Sequence, residues 1–174
     1  MENKKRNILI TKEQIENRII ELGCQISKDY EGKNLYVLSL LRGSFIYAAD
    51  LVRHIEVPTK IGFMTTSSYG HNEQSSGSVK VVNDIPDNIE GYDVLVVDDI
   101  VDTGITMQFV MDHVKNLGAK SVKSCVLLDK PERRKVPITP DYCCFEIPDV
   151  FVVGYGLNYG DHYRNIPYVF NWED

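Results

Sequence analysis

In the stretch VLVVDDIVDTGITM, Val94 to Met107, aliphatic residues of buried type lead into Asp98 and Asp99, and a tight turn with Asp102, Thr103, Gly104, Ile105 and Thr106 follows. Such a turn suits a phosphate group. Glycine lets the backbone approach, consecutive N–H groups converge, and the hydroxyls of Thr103 and Thr106 donate. The turn also leads into residues of helical spacing, and a helix amino terminus carries partial positive charge. Three carboxylates beside an anion site would repel the anion unless a cation or sugar hydroxyls occupy the acids. The combination points to a phosphorylated sugar, with hydroxyls and Mg²⁺ at the acids and phosphate at the turn. Successive strand residues face opposite ways, so Asp98 and Asp99 are expected to divide the work. One reaches the ligand; the other holds neighbouring groups or a hydrated metal.

Two rival explanations use the same residues. Asp98 and Asp99 could merely end a strand, with Asp102 capping a helix. The run IVDTG also satisfies the aspartic-protease signature, but those enzymes need a pair of such aspartates in an all-β fold, and this chain has one D-T-G in a strand–helix–strand pattern.

The elements that must position these groups are legible from periodicity. Thr11 and Gln14 form a capping-box signal, Ile10 can staple to Ile15, and Ile15, Ile19, Leu22 and Ile26 repeat at helical spacing, which predicts a helix over 12–29. NLYVLSLL (34–41) is a continuous apolar strand broken by RGS, FIYAADLVRHI (45–55) has the spacing of a returning helix, and TKIGFMTT (59–66) is the next strand. A second unit follows: strand 94–99, helix 106–118 ended by Gly118, and strand 121–130. Short strands are expected in VKVVND. Aliphatic strands alternating with helices imply an α/β fold, a mainly parallel twisted sheet flanked by helices. Between the units, SSYGHNEQSSGS (67–78) has Tyr69 as its only large hydrophobe, which predicts a mobile loop. Near the end Tyr155, Tyr159 and Tyr163 recur every four residues, but Gly154, Gly156 and Gly160 between them argue for loop and turn over a helical stripe.

Composition narrows the function classes. A chain of 174 residues suits one domain. With 19 basic against 25 acidic side chains the net charge is −6, so neither nucleic acid nor an anionic membrane is drawn to the surface at large, and an anionic substrate needs a local site. No segment approaches the ~20 apolar residues of a membrane span. The opening MENKKRNILI is too weakly apolar for a signal peptide, so the expected address is cytoplasmic. Cys24, Cys125, Cys143 and Cys144 form no C-x-x-C pair, and His54, His71, His113 and His162 have no metal-ligand spacing. A disulfide framework and structural zinc are not expected.

The chain resembles the type I phosphoribosyltransferases, and among them the hypoxanthine (hypoxanthine-guanine) phosphoribosyltransferases. The resemblance runs in order from about Asn34 to Arg164 through LLRGSF, TSSYG, VLVVDDIVDTGITM, LLDK and FEIPDVFVVGYGLNY with a following YR. It implies a core over about 34–135, a small hood formed by the chain ends (about 1–33 and 140–174), and a lid over 67–78 bearing Ser68 and Tyr69. It also implies transfer of 5-phosphoribose from 5-phosphoribosyl-1-pyrophosphate to N9 of hypoxanthine, and of guanine, with Mg²⁺. Asp102 would be the general acid/base at purine N7. Asp98 and Asp99 would face the ribose hydroxyls and the Mg²⁺ shell, Asp98 standing where the family often has glutamate. Thr103, Gly104, Ile105 and Thr106 would grip the 5′-phosphate. Leu41, Arg42 and Gly43 would form a pyrophosphate loop with a cis peptide between Leu41 and Arg42, and Arg164 would reach the same pyrophosphate. Lys130 would donate to O6 of the base, Phe151 would stack on it, Val152 would read its edge and Leu157 would line its pocket. Asn158 stands where the family usually has a metal-binding aspartate; asparagine keeps the acceptor oxygen and loses the charge, so metal is held less strongly there. A homodimer or homotetramer is implied. A regulatory protein that kept the sugar-phosphate site without catalysis is the alternative, and the acidic charge together with Asp102, Lys130 and the RGS loop favours the enzyme.

Overall fold

The computed structural model describes residues 5–68 and 79–172, Ser68 by its backbone alone. Local signals set the first helix: the Gln14 N–H donates to Thr11 Oγ1 (3.2 Å) and the Thr11 N–H to Gln14 Oε1 (2.8 Å), and helix α1 runs Lys12–Asp29, as its periodicity predicts. It follows strand β1 (Arg6–Ile10). Then come β2 (Leu35–Leu41), α2 (Phe45–Val52), β3 (Thr59–Ser68), β4 (Val79–Asn83), β5 (Asp93–Val101), α3 (Ile105–Asn116), β6 (Ser121–Asp129), a 3-10 turn at Pro131–Arg133, β7 (Tyr142–Glu146) and β8 (Val169–Trp172).

Six strands form one sheet in the order β4-β3-β2-β5-β6-β7, parallel throughout except for β4, which runs antiparallel to β3. Alternation divides each central strand between two cores. Val37, Leu95, Val97 and Leu127 pack with Ile15, Ile19, Leu22, Tyr47 and Leu51 of α1 and α2. Leu38, Leu40, Val94, Val96 and Val126 pack with Met107, Val110 and Val114 of α3 on the opposite face. Burial on both faces is why β2 and β5 are continuous aliphatic runs. In such a sheet the carboxyl ends of β2, β5 and β6 share one edge, and the loops after them meet there.

Several boundaries move from the sequence expectation. Strand β5 continues past the acids to Val101, and α2 stops at Val52, three residues short. Ser67 and Ser68, expected in the loop, extend β3 and pair with Lys80 and Val79 of β4; Tyr69 and the rest of the expected lid lie outside the described residues. Strand β1 was not foreseen. Its partner is β8, with Arg6 opposite Trp172 and Ile8 opposite Phe170, and the Arg6 guanidinium lies 4.9 Å from the Phe170 ring centroid. Residues 142–146, expected with the hood, instead form the edge strand of the main sheet. The tyrosine-rich segment is turn and short bridge, with Tyr155 (φ 49°) and Tyr163 (φ 76°) left-handed, so the glycines outweigh the four-residue spacing. No described helix is long and apolar enough to cross a membrane.

Candidate active site

At the end of β2 the Leu41–Arg42 peptide is cis. The loop beyond it presses on the acids, since a Cβ placed on Gly43 would lie 1.8 Å from Asp99 Oδ2. Only glycine lets that backbone sit against the carboxylate. Arg42 is exposed and lines, with Leu41, Phe45, Asp161 and Arg164, an open pocket of about 620 Å³. Arg164 is anchored from the hood side, its Nη1 donating to the Gly156 carbonyl. The two arginines expected to share one anion therefore line a common opening.

Asp98 and Asp99 do divide, as alternation requires. Asp98 lines a smaller pocket of about 120 Å³ with Asp102, Thr103, Gly104 and Thr106, whereas Asp99 faces Gly43. They are not independent, however. Burial, the negative charge of Asp99 and a hydrogen bond between the two carboxyls push Asp98 well above the ordinary carboxylate range. Burial also raises Asp99, although its hydrogen bonds and the charge of Arg164 act the other way. Each side chain keeps some solvent contact at its rim, yet both sit deep enough among protein atoms for desolvation to dominate. A buried acid pair that resists ionising is suited to sugar hydroxyls and to a cation. Among the described residues no group of three or more His, Cys, Asp or Glu could hold a metal ion by itself. Two carboxylates completed by ligand oxygens are the donor set that Mg²⁺ takes with phosphorylated substrates, so these residues fit a cation that arrives with its substrate.

The turn after β5 is held from behind. Gly104 is left-handed (φ 82°), caps α3 without a side-chain hydrogen bond, and would clash through a Cβ with Ile138 at 2.5 Å. Thr103 Oγ1 accepts from the Ile105 N–H at 3.4 Å, the Thr103 carbonyl accepts from the Lys135 N–H at 2.9 Å, and Arg134 Nη1 donates to the Asp102 carbonyl at 2.9 Å. Arg134 also pairs with buried Asp129. The Asp102 side chain forms an ion pair with Arg133, whose Nε is 2.6 Å from the buried Oδ1, while no hydrogen bond or ion pair among the described residues involves Oδ2. Asp102 is therefore not spent as a helix cap. Nor does its D-T-G belong to a protease, because it sits in a parallel sheet between helices.

Lys130 follows β6 at the same edge, its N–H donating to the Val101 carbonyl at 2.9 Å, which makes it a direct neighbour of Asp102. It is only 7% exposed, and among the described residues its ammonium has no hydrogen bond or ion pair. The Ile147 N–H donates to the Asp129 carbonyl at 2.8 Å and brings the next segment alongside. From that segment Phe151 projects 58% exposed, edge-on to Tyr159 with centroids 6.0 Å apart. The side chains of Val152 and Leu157 are buried in the core shared with α1 and α2. Asn158 donates from Nδ2 to the Gly160 carbonyl, closing its own turn, while Asp161 is the acid on the pocket wall with Arg42 and Arg164.

Sequence reasoning missed Arg133, Arg134 and Asp149. The run PERRK directly after Lys130 is the only sign of the two arginines, and a basic surface loop has the same appearance; Asp149, in IPDV, carries no sign of its own.

A phosphoribosyl transferase domain model matches residues 8–160. Over 169 residues the chain is 44% identical to the hypoxanthine-guanine phosphoribosyltransferase of Streptococcus thermophilus and 40% identical to that of Bacillus subtilis, in each case across 97% of this chain and 94% of the relative. The solved hypoxanthine phosphoribosyltransferase of Staphylococcus aureus superposes with a TM-score of 0.94 at 40% identity, covering 99% of this chain and 94% of that one. The chain belongs to the hypoxanthine-guanine phosphoribosyltransferase family.

Proposed function

We propose that this protein transfers 5-phosphoribose from 5-phosphoribosyl-1-pyrophosphate to N9 of a 6-oxopurine, hypoxanthine or guanine, releasing pyrophosphate. The observation that carries this reading is Lys130: a mostly buried side chain at the end of β6, beside the strand end that leads to Asp102, whose ammonium has no hydrogen bond or ion pair among the described residues and keeps contact with solvent. An ammonium whose donors are all unused can give one to a carbonyl oxygen such as purine O6. Phe151 then stacks on the base, Val152 meets its edge through the backbone and Leu157 backs the pocket.

On the sugar side, the 103–106 turn and the amino terminus of α3 take the 5′-phosphate. Asp98 and Asp99 accept from the ribose hydroxyls and hold the inner edge of the cation's shell. Mg²⁺, when bound, supplies charge against the pyrophosphate. Asn158 contributes an acceptor oxygen at most. Arg42 and Arg164 stabilise the leaving group as the bond from C1′ to oxygen breaks and its electrons depart with pyrophosphate. The N9 lone pair forms the new bond to C1′, and Asp102 accepts the proton that leaves N7, so charge develops where acceptors already stand. Ser68 and Tyr69 would begin the lid that excludes water.

A second copy of the chain is the proposed partner. Ile61 and Phe63 are 44% and 50% exposed on the face of β3 opposite Met64, and Phe45, 45% exposed, heads α2 on that side of the sheet directly after the pyrophosphate loop. Light scattering should return the mass of two or four chains. The cytoplasm is the proposed address. The regulatory alternative has no observation in its favour.

The test is incubation with Mg²⁺, 5-phosphoribosyl-1-pyrophosphate and each of hypoxanthine, guanine, xanthine and adenine, following nucleotide by absorbance. Hypoxanthine and guanine should react and adenine should not. Absence of product with all four bases overturns the enzyme reading.

A further inference from the structure

Two consecutive arginines follow the Pro131 turn and hold Asp102 in different ways. Arg134, mostly buried, holds its backbone carbonyl. Arg133, exposed, contacts its side chain through Nε and at the same time reaches Asp149 through Nη1, at 3.3 Å from Oδ1 and 3.4 Å from Oδ2. Asp149 lies two residues before Phe151. One guanidinium therefore spans the catalytic turn after β5 and the loop that presents the aromatic platform, which lie 47 residues apart in sequence, from 102 to 149.

We propose that Arg133 is a positioning residue for the reaction: it fixes the distance between Asp102 and the purine platform, and it neutralises Asp102 through Oδ1 while leaving Oδ2 to accept a proton. The inference rests on the phosphoribosyl-transfer reading of the site. Three observations support it. The guanidinium meets Asp102 at the buried Oδ1, with Nε 2.6 Å away, whereas no hydrogen bond or ion pair among the described residues involves Oδ2, so that oxygen stays open. The charges of Asp102 and, next, Asp149 hold the Arg133 proton more firmly than usual, so the guanidinium responds to both carboxylates together. The turn that bears Arg133 is itself constrained, with Pro131 at its first position and the Arg133 N–H donating to the Lys130 carbonyl at 3.2 Å. Lys130, Asp102 and Phe151 are thus registered to one another through a single short segment. Each pair is half exposed and individually weak, which suits a brace that lets a base enter and leave. Lysine could serve one carboxylate but lacks the planar fork that reaches two.

The experiment is steady-state kinetics on wild type, Arg133→Ala, Arg133→Lys, Asp149→Asn and the double variant Arg133→Ala/Asp149→Asn, varying hypoxanthine and 5-phosphoribosyl-1-pyrophosphate separately, with thermal melting of each protein. Arg133→Ala should raise the purine KM about fivefold to tenfold and lower kcat, leaving the KM for the sugar substrate within about twofold. Asp149→Asn should raise the purine KM comparably while sparing kcat, because Asp102 keeps its cation. The double variant should match Arg133→Ala, since both changes cut one brace. Arg133→Lys should recover kcat better than purine KM. An unchanged purine KM in Arg133→Ala, KM values for both substrates rising together, or effects of the two single changes that multiply would each overturn the proposal. Should Arg133→Ala fail to fold, Asp149→Asn alone decides it by the same KM split. A wild type that makes no nucleotide overturns the transfer reading itself, and with it this one; an active wild type whose variants all match it in purine KM overturns only Arg133.

Discussion

The sugar-phosphate half of the site and the purine half are built in opposite ways. The first is nearly contiguous: Asp98 to Thr106 are the end of one strand, one turn and the first residues of one helix. The second is assembled from Lys130 after β6, Phe151 in a loop, and Asp102 from the neighbouring strand end, joined by the hydrogen bonds from Lys130 to Val101 and from Ile147 to Asp129. The difference teaches what each half holds ready for its substrate. On the sugar side two acids sit side by side, where desolvation opposes the ionisation of both and the charge of Asp99 adds to it at Asp98; on the purine side Lys130 offers an ammonium with no hydrogen bond or ion pair among the described residues. Substrate binding supplies the missing partners, hydroxyls and a cation for the acids and a carbonyl oxygen for the ammonium.

Asp102 stands between the halves, and changing it should have the largest effect. Asp102→Asn keeps shape and removes the proton acceptor, so kcat should fall about 10²- to 10⁴-fold while nucleotide affinity measured by calorimetry changes only a few-fold. Losses of equal size in both would return Asp102 to the role of a binding residue. Next is Lys130. Lys130→Met deletes a charge-assisted hydrogen bond, and kcat/KM for hypoxanthine should drop about 10- to 100-fold with the affinity for 5-phosphoribosyl-1-pyrophosphate maintained. Because the ammonium has no hydrogen bond or ion pair to lose among the described residues, the same change should scarcely move Tm. If the sugar substrate binds equally poorly, the division into halves is wrong.

A smaller effect is expected from Phe151→Ala. Its ring is more than half exposed, so Tm should scarcely move, whereas loss of stacking should raise the purine KM about tenfold. A fall in Tm with no change in KM would make Phe151 a packing residue.

The same contrast explains what was legible in the sequence. Helix α1 is legible in the sequence because its cap and its stripe are local. The acids and the 103–106 turn were legible because strand, turn and helix start are consecutive. Strand β1 was not, since five residues have no period of their own and its partner comes at the far end of the chain. Lys130 and Phe151 entered only through resemblance; in isolation a lysine at a strand end and a phenylalanine in a loop indicate nothing. Arg133 escaped altogether, because its meaning is the simultaneous contact with Asp102 and Asp149, and a side-chain bridge between distant segments leaves no pattern. The coupling of Asp98 to Asp99 was likewise hidden, since strand alternation says where side chains point and not how deeply they are buried.

The smallest predicted effect isolates that coupling. A carboxyl whose folded pKa is raised favours its protonated form in the native state. Its contribution to stability is then present below the unfolded pKa and lost as pH rises through the folded one. In the ligand-free protein Asp98 and Asp99 should therefore cost stability near neutrality and above, where they are forced to ionise, and not in mild acid, where they share a proton. Asp98→Asn removes the cost. Its Tm should exceed that of wild type by roughly 2–4 °C at about pH 8, the shift that ~1 kcal/mol gives in a domain of this size, and the advantage should shrink toward about pH 5. Taking the difference between the two proteins cancels other titrating groups, including the His113 pair with Asp84. With Mg²⁺ and 5-phosphoribosyl-1-pyrophosphate added the order should reverse, because wild type gains the ligands its acids are built for and Asp98→Asn binds them weakly. A variant less stable than wild type at every pH would mean that the pair holds the fold together, and that its burial serves packing more than substrate.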